Sequence, residues 1–285
     1  MSVYQETYPK LFALAYRMTG SVSDAEDAIQ EAWARLLDQP AGKVESEPAW
    51  LYRTVSNLAI DTLRTAKRTA TGYHGPWLPE PISPESYFRG PEAEAILRED
   101  LSMALLLMLE HLTPDQRAVW VLRTTLEMSF VEIAEITGQR VENTRQIYRR
   151  ARQKLDAVPE HAVRPAPPNL AEAFLRTLHA GDTTALIELL SADATWIGDG
   201  GGIRPATARP VAGADKVARG LIGLTSRRDG WRVEVAVING SLGILIYADT
   251  GELDSVWTFL SNESHVTHVL TIRNPEKMAG VLPRE

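Results

Sequence analysis

The chain has no cysteine among its 285 residues, so neither a disulfide framework nor a thiolate metal site can be built, which suits a reducing compartment. It lacks an apolar run long enough to cross a bilayer, and its opening, MSVYQETYPK, has neither the basic patch nor the apolar stretch of a secretion signal. The sequence therefore predicts a soluble cytoplasmic protein that uses no membrane. Positive charge is also scarce. With 30 Lys and Arg against 37 Asp and Glu, the net charge is -7, unusual for a protein that grips DNA unaided, because phosphate contacts supply most non-specific affinity. No H-E-x-x-H or similar cluster points to a metal, and the glycine-rich stretches lack the Lys-Ser ending of a phosphate loop. The expectation is therefore no metal and no cofactor. Internal repeats, low-complexity tracts and long charge blocks are missing too.

What is present divides into several compact units, for which the length suffices. Residues 1–70 read as helical almost throughout, with Leu11, Leu14, Ala15 and Met18 on one face of the first helix and Gly20 ending it. Residues 71–91, TGYHGPWLPEPISPESYFRGP, are too rich in proline and glycine for regular structure and read as a linker. Helical periodicity resumes over 92–158, where Thr113-Pro114-Asp115-Gln116 supplies an N-cap, a first-turn proline and a capping partner. A second joint, 159–168, precedes a stretch of different character over 169–285. There, helices are expected over Leu170–Ala180, Thr183–Leu190 and Gly213–Thr225. Strands are expected over Trp231–Ile238, Leu242–Ala248, Leu253–Leu260 and Val266–Arg273, with a hairpin at Asn239-Gly240. Helices first and a curved antiparallel sheet later make an α+β domain.

The segment from Ser129 to Leu155 carries the clearest chemistry. Ser129 and Glu132 form a capping box, Ile133, Ala134 and Ile136 line a first helix, and Thr137-Gly138-Gln139 makes a turn. On the following helix Val141, Thr144, Tyr148, Ala151 and Leu155 recur at steps of three and four, giving one packing face. The other face is basic, with Arg145, Arg149, Arg150 and Arg152, and Asn143 and Gln146 nearer the start, where a recognition helix meets base edges. This pattern is that of a helix-turn-helix, although a plain helical hairpin with solvated charges has the same outline.

Upstream, Asp24, Glu26, Asp27 and Glu31 sit beside Ala25, Ala28, Ile29 and Trp33, so one helix has an apolar face and a strongly acidic one. A second helix bears Trp50, Arg53, Asn57, Asp61, Arg64, Lys67 and Arg68 around apolar Leu51, Val55, Leu58 and Leu63; an aromatic among basic residues suits stacking on unpaired bases. In this order, DAEDAIQEAW, the Asn57/Asp61/Arg64 helix, a linker, LTPDQR and a helix-turn-helix ending in RAR, the first 157 residues resemble the extracytoplasmic-function sigma factors of the sigma-70 family. The resemblance implies that Asp24 to Trp33 dock on RNA polymerase core enzyme, through its beta and beta-prime subunits. It implies further that Asn57, Asp61 and Arg64 lie near the melted -10 promoter element and that the Ser129–Leu155 unit reads the -35 element. Polymerase would then supply much of the DNA grip that the chain's own charge withholds. The recognition helix departs from the Thr-Val-Lys-Ser-Arg-like run of many relatives, having Asn143-Thr144-Arg145-Gln146-Ile147 instead.

Residues beyond 158 exceed a minimal sigma factor of this group. Trp77-Leu78-Pro79-Glu80-Pro81 in the linker, Asp199-Gly200-Gly201-Gly202, and Asn274-Pro275-Glu276-Lys277 resemble the signature of sigma factors with a fused SnoaL-like domain, an NTF2-like cone. Ile203 stands where a basic residue usually follows the glycines, with Arg204 next. The resemblance implies interdomain regulatory contacts through these three segments, and Trp77 is expected to anchor the linker by burial. The cone also offers a candidate site for a small ligand. Two rivals follow from parts of the chain: a helix-turn-helix repressor with a ligand domain, and an isomerase or cyclase using Asp199, His265 or His268 between walls of Trp196, Trp231 and Trp257. A shared fold does not transmit activity, and an enzyme is not expected.

Overall fold

In the computed structural model, residues 3–40, 42–69, 73–83, 87, 101–157, 164–226, 230–262 and 264–282 are described, with side chains from residue 6 onward and without those of residues 66–69. The chain forms two compact units, one of residues 1–72, 89–101 and 106–157 and one of residues 73–88, 102–105 and 158–285.

Among its described residues the first unit is built of helices: α1 (Val3–Thr19), α2 (Val22–Leu37), α3 (Glu47–Thr69), the part of α4 (Met103–Glu110) from residue 106 on, α5 (Pro114–Thr125), α6 (Phe130–Thr137) and α7 (Val141–Asp156). Helix α1 is buried around more of its circumference than a single apolar stripe, since Leu11, Phe12, Ala13, Leu14, Ala15 and Tyr16 are all fully enclosed. Helices α2 and α3 clasp it with Ile29, Leu51 and Val55, and Tyr8, Phe12 and Tyr16 stack along it. Truncating one of the buried aliphatic residues to alanine would cost about 2–5 kcal/mol. Gly20, at φ 71°, stops α1 in the left-handed region that favours glycine, and Ser21 then caps α2. The Thr113–Gln116 capping box forms as the sequence predicts, with reciprocal bonds of 3.3 and 3.1 Å.

The second unit holds helices α8 (Pro168–Ala180), α9 (Thr183–Leu189) and α10 (Ala214–Thr225) against a sheet. Its strands are β1 (Arg164–Pro165), β2 (Leu190–Asp199), β3 (Val211–Ala212), β4 (Arg232–Ile238), β5 (Ser241–Tyr247), β6 (Leu253–Ser261) and β7 (Val266–Ile272). Their order is β3-β2-β7-β6-β5-β4, with β1 beside β6. Two features correct the sequence reading. The sheet is mixed, not antiparallel, because β2 runs parallel to β7 in the register Thr195↔His268 to Asp199↔Ile272. And β2 itself escaped notice: it follows α9 without a turn and is rich in Ala, Asp and Gly, residues depleted in strands. The hairpin at Asn239-Gly240 forms with φ of 51° and 72°, the pair of positive values that a type I′ turn requires. The core of this unit gathers Phe174, Leu178, Leu186, Leu221, Ile244, Trp257, Phe259 and Val269, with the Phe174 and Phe259 rings 5.0 Å apart.

Candidate nucleic-acid interface and linker-binding site

Helix α6 starts on the predicted capping box. The Ser129 hydroxyl accepts from Glu132 N at 3.3 Å and Glu132 Oε2 accepts from Ser129 N at 2.8 Å. These bonds hold the Glu132 carboxyl below its ordinary value. Gly138, left-handed at φ 67°, closes α6 and turns the chain into α7. On α7, Thr144 and Ala151 are buried and Val141, Ile147, Tyr148 and Leu155 half-buried, while Asn143, Arg145, Gln146, Arg149, Arg150 and Arg152 are all exposed. Helical spacing thus separates a packing face from a cationic one. Phe130 fixes the seam, meeting Tyr148 edge-on at 5.6 Å and lying under the guanidinium groups of Arg123 and Arg145 at 5.2 and 5.9 Å. Asn143 is steadied by donating to Gln139 Oε1 at 2.7 Å, and Arg152 lies 3.6 Å from Asp156. Arg123 had no signal in the sequence beyond its charge; it donates to the Met128 carbonyl at 2.6 Å and holds the loop between α5 and α6.

On α2 the buried stripe is Val22, Ala25, Ala28, Ile29, Ala32 and Leu36. Opposite it, Asp27 and Glu31 are exposed, and Asp24, Glu26 and Trp33 are half-buried. Glu26 accepts from Tyr8 OH at 3.2 Å, and Glu31 pairs with Arg35 at 2.7 Å. Burial pushes the Asp24 carboxyl up, opposed by its hydrogen bond with Ser21. The sequence reading passed over Leu37, which is 80% exposed at the end of the same helix. On α3, Asn57 and Asp61 are exposed. Arg64 is already engaged, donating from Nη2 to Asp115 Oδ1 at 2.9 Å, and Lys67 and Arg68 have side chains outside the described ones.

In the second unit, the three signature segments meet. Asp199 has no exposed surface. Its Oδ1 accepts from Tyr73 OH at 2.6 Å and Gly201 N at 3.1 Å; its Oδ2 accepts from Leu78 N and Lys277 Nζ, both at 2.8 Å. The Lys277 ammonium also donates to the Leu78 carbonyl at 2.6 Å and lies 4.2 Å from the Trp77 ring and 4.8 Å from the Tyr73 ring. A buried lysine therefore keeps a counter-charge, a carbonyl and two aromatic faces. Burial first, and then the bond to Asp199, push the Tyr73 hydroxyl above the ordinary tyrosine range, so it stays a donor. Asn274 donates from Nδ2 to Tyr73 OH at 3.2 Å and from its backbone to the Asp199 carbonyl at 3.1 Å.

The glycines matter by contact. A Cβ at Gly200 would collide with the Arg204 carbonyl, and one at Gly201, where φ is 61°, with the Asn274 amide. Gly202 lies beside His74. Downstream, Ile82 and Asn239 exchange bonds of 3.2 and 2.7 Å, and Ser83 N donates to the Gly280 carbonyl at 2.9 Å. Leu78, Pro79, Glu80 and Pro81 are all buried, so the supposed spacer is a seated segment; Pro275 and Glu276 stay exposed, with Glu276 N bonded to Asn274 Oδ1 at 3.0 Å. Arg204 turns instead to β6, donating to the carbonyls of Leu253 and Asp254 at 3.1 and 3.0 Å.

The residues weighed for acid-base chemistry do not converge. Both Asp199 oxygens carry two donors each. His265 is exposed and lies before β7, not on it, while His268 is half-buried with Nδ1 3.0 Å from Thr267 Oγ1. Trp257 is fully enclosed in the core, Trp231 is packed against that core, and Trp196 donates to Thr271 Oγ1 at 3.0 Å. Among the described residues no cluster could hold a metal ion, and no helix is long and apolar enough to cross a membrane.

An amino-terminal helical group with an acidic flank, a helix-turn-helix with a cationic recognition helix, and an appended α+β cone define a promoter-recognition subunit of RNA polymerase. Sigma-70 region 2 matches residues 3–69 and Sigma-70 region 4 matches residues 102–155. The chain is 34% identical over 296 residues to the ECF RNA polymerase sigma factor SigJ of Mycobacterium tuberculosis, covering 98% of this chain and 93% of that one. The probable ECF sigma factor SigI of the same species is 33% identical over 73% of this chain and 70% of its own. The crystal structure of M. tuberculosis SigJ superposes with a TM-score of 0.77 at 31% identity, covering 98% of both chains. The chain belongs to the extracytoplasmic-function family of RNA polymerase sigma factors. It is an alternative sigma factor with an appended α+β domain, and the repressor alternative falls because region 2 accounts for the helices that a repressor leaves without a role.

Proposed function

We propose that the chain works as three parts. Residues 1–70 dock on the beta and beta-prime subunits through the acidic side of α2 and contact the melted -10 element through Asn57, Asp61, Arg64, Lys67 and Arg68. Residues 92–158 read the -35 element, with Asn143 and Gln146 at base edges and Arg145, Arg149, Arg150 and Arg152 on phosphates. Residues 169–285 regulate in cis, and 71–91 and 159–168 join the parts. The protein is not an enzyme in this scheme, acts where RNA polymerase does, in the cytoplasm, and its third part is a candidate site for a small ligand.

The observation that supports cis regulation best is the seat of Tyr73 to Ser83 on Asp199, Asn239, Lys277 and Gly280. Those residues lie on the only stretch of chain connecting region 2 to region 4. While they are seated, they are withdrawn from the length available to span promoter elements; a few kcal/mol of differential binding would suffice to shift the balance.

The docking surface is tested by reversing its charge. Asp27→Lys with Glu31→Lys, both exposed, should weaken binding to core enzyme at least tenfold with an unchanged melting temperature, and should abolish run-off transcripts. Unchanged core binding would remove α2 from the interface.

A further inference from the structure

The two ends of the sheet in the second unit are finished differently. At one end β3, Val211–Ala212, is too short to template another strand. At the other stands β4, paired to β5 in an unbroken register from Arg232↔Tyr247 to Ile238↔Ser241, and among the described residues no strand lies on its far side. This edge has neither proline nor bulge; the charges of Arg232 and Glu234 are its only guard. Between them in sequence and just beyond, Val233 and Val235 are 52% and 57% exposed.

The hairpin fixes which backbone groups face outward. Across the two-residue Asn239-Gly240 turn, Ile238 and Ser241 form a hydrogen-bonded pair, so the alternate residues Ala236, Glu234 and Arg232 also direct their backbone groups to β5. The N–H and C=O groups of Val233 and Val235 therefore point away from the sheet. Toward the turn the strand is covered: Ala236 and Val237 are half-buried, Ile238 is buried, and Asn239 exchanges bonds with Ile82. The open stretch is 232–235.

Arg232 and Glu234 share the other face of β4, 2.9 Å apart, with the Arg232 guanidinium 4.1 Å from the centre of the Tyr247 ring. An exposed pair of this kind adds little to the strand itself. It does make the edge complementary to itself. When two β4 edges meet antiparallel about a two-fold axis at Val233, each Arg232 stands opposite the other copy's Glu234 and each Val235 opposite the other copy's Trp231. The two Val233 residues then form a hydrogen-bonded pair through their outward groups. An axis at Glu234 would instead set two carboxylates face to face at the closer, non-hydrogen-bonded spacing, which is destabilising. An axis at Val235 would need the covered residues beyond it.

We propose that the free edge of β4 binds a second copy of this chain, antiparallel and centred on Val233, so that two sheets become one. Such pairing goes beyond the sigma assignment and does not depend on it. A ladder over residues 231–235 buries less than a standard interface, so the association is weak and concentration-dependent.

Sedimentation velocity of the full chain at rising concentration should show a reversible shift from one chain to two. Arg232→Glu, at an exposed side chain, should weaken that association about tenfold, and adding Glu234→Arg should restore it by rebuilding both cross-strand pairs. Because the chain has no cysteine, Val233→Cys gives each copy one thiol that faces its counterpart at about 5.5 Å between Cα atoms, within disulfide reach. Val235→Cys is just as exposed but is displaced from its counterpart by about 13 Å along the strand. Mild oxidation should link the first variant into a dimer and leave the second single, with circular dichroism unchanged in each. A single chain at every concentration would overturn the proposal and leave this edge to a strand of another protein. Equal cross-linking at both positions, or a dimer indifferent to Arg232→Glu, would overturn β4 as the interface, and a double swap that restores nothing would overturn the register.

Discussion

At Asp199, four donors converge on one enclosed carboxylate, and Lys277 contributes the only full positive charge among them. Replacing the carboxylate with an amide strands that ammonium between Trp77 and Tyr73. Asp199→Asn is therefore expected to cost about 3–5 kcal/mol, read as a lower urea midpoint. Lys277→Met should cost less, because Asp199 keeps the Tyr73 hydroxyl and two backbone N–H groups. The reverse ranking would mean that the lysine, not the carboxylate, is the centre of the network. His268 gives a pH test. Burial holds its imidazole below the ordinary value of 6.5, with Asp193 partly opposing. The unfolded chain then binds the proton at higher pH than the folded one. Stability should be level above about pH 6.5 and fall as the pH drops from there toward the depressed folded value. His268→Leu should flatten that slope in urea midpoints measured across pH. At this scale Asp199, Trp77 and Lys277 were legible because they lie in short distinctive runs. Tyr73, Arg17 and Arg117 were not, since a tyrosine in a proline-rich stretch and arginines on helices acquire their roles only from partners up to 201 residues away.

The elements themselves were legible where local chemistry decides them. Capping residues, Gly138 and the Asn239-Gly240 turn each act through neighbours in sequence, and each formed as read. Strand β2 was not, because its pairing with β7 is parallel and long-range, and its composition carries no strand preference. The reading proposed for α7 assigns its two kinds of contact by position. Arg149→Ala should weaken promoter binding by the holoenzyme evenly across sequences and lower the salt dependence by about one counterion. Gln146→Ala should leave the salt dependence alone and relax preference at one base pair, costing about 1–3 kcal/mol on the best sequence. Binding titrations at several salt concentrations, on a panel of single-base variants, separate the two. Equal behaviour of both substitutions would place the base-reading edge elsewhere on α7.

For the molecule as a whole, net charge and proline content pointed correctly to a partnered DNA reader built from more than one unit. The proline-rich stretch was the more deceptive signal. Proline removes backbone donors and so looks like a spacer, yet Pro79 and Pro81 are buried on either side of Glu80, where their rigidity favours a bound, extended path. Composition reports that such a stretch avoids helices and strands; it does not report whether something else holds it.

Lys277 and Leu78 are separated by 199 residues in the chain. A ribosome releases residue 78 long before it reaches residue 277, and at ordinary elongation rates the interval lasts on the order of ten seconds. Regions 2 and 4 can fold within that interval, before the seat for the segment connecting them exists. Under the cis regulation proposed above, every newly made copy passes through an early life without that control.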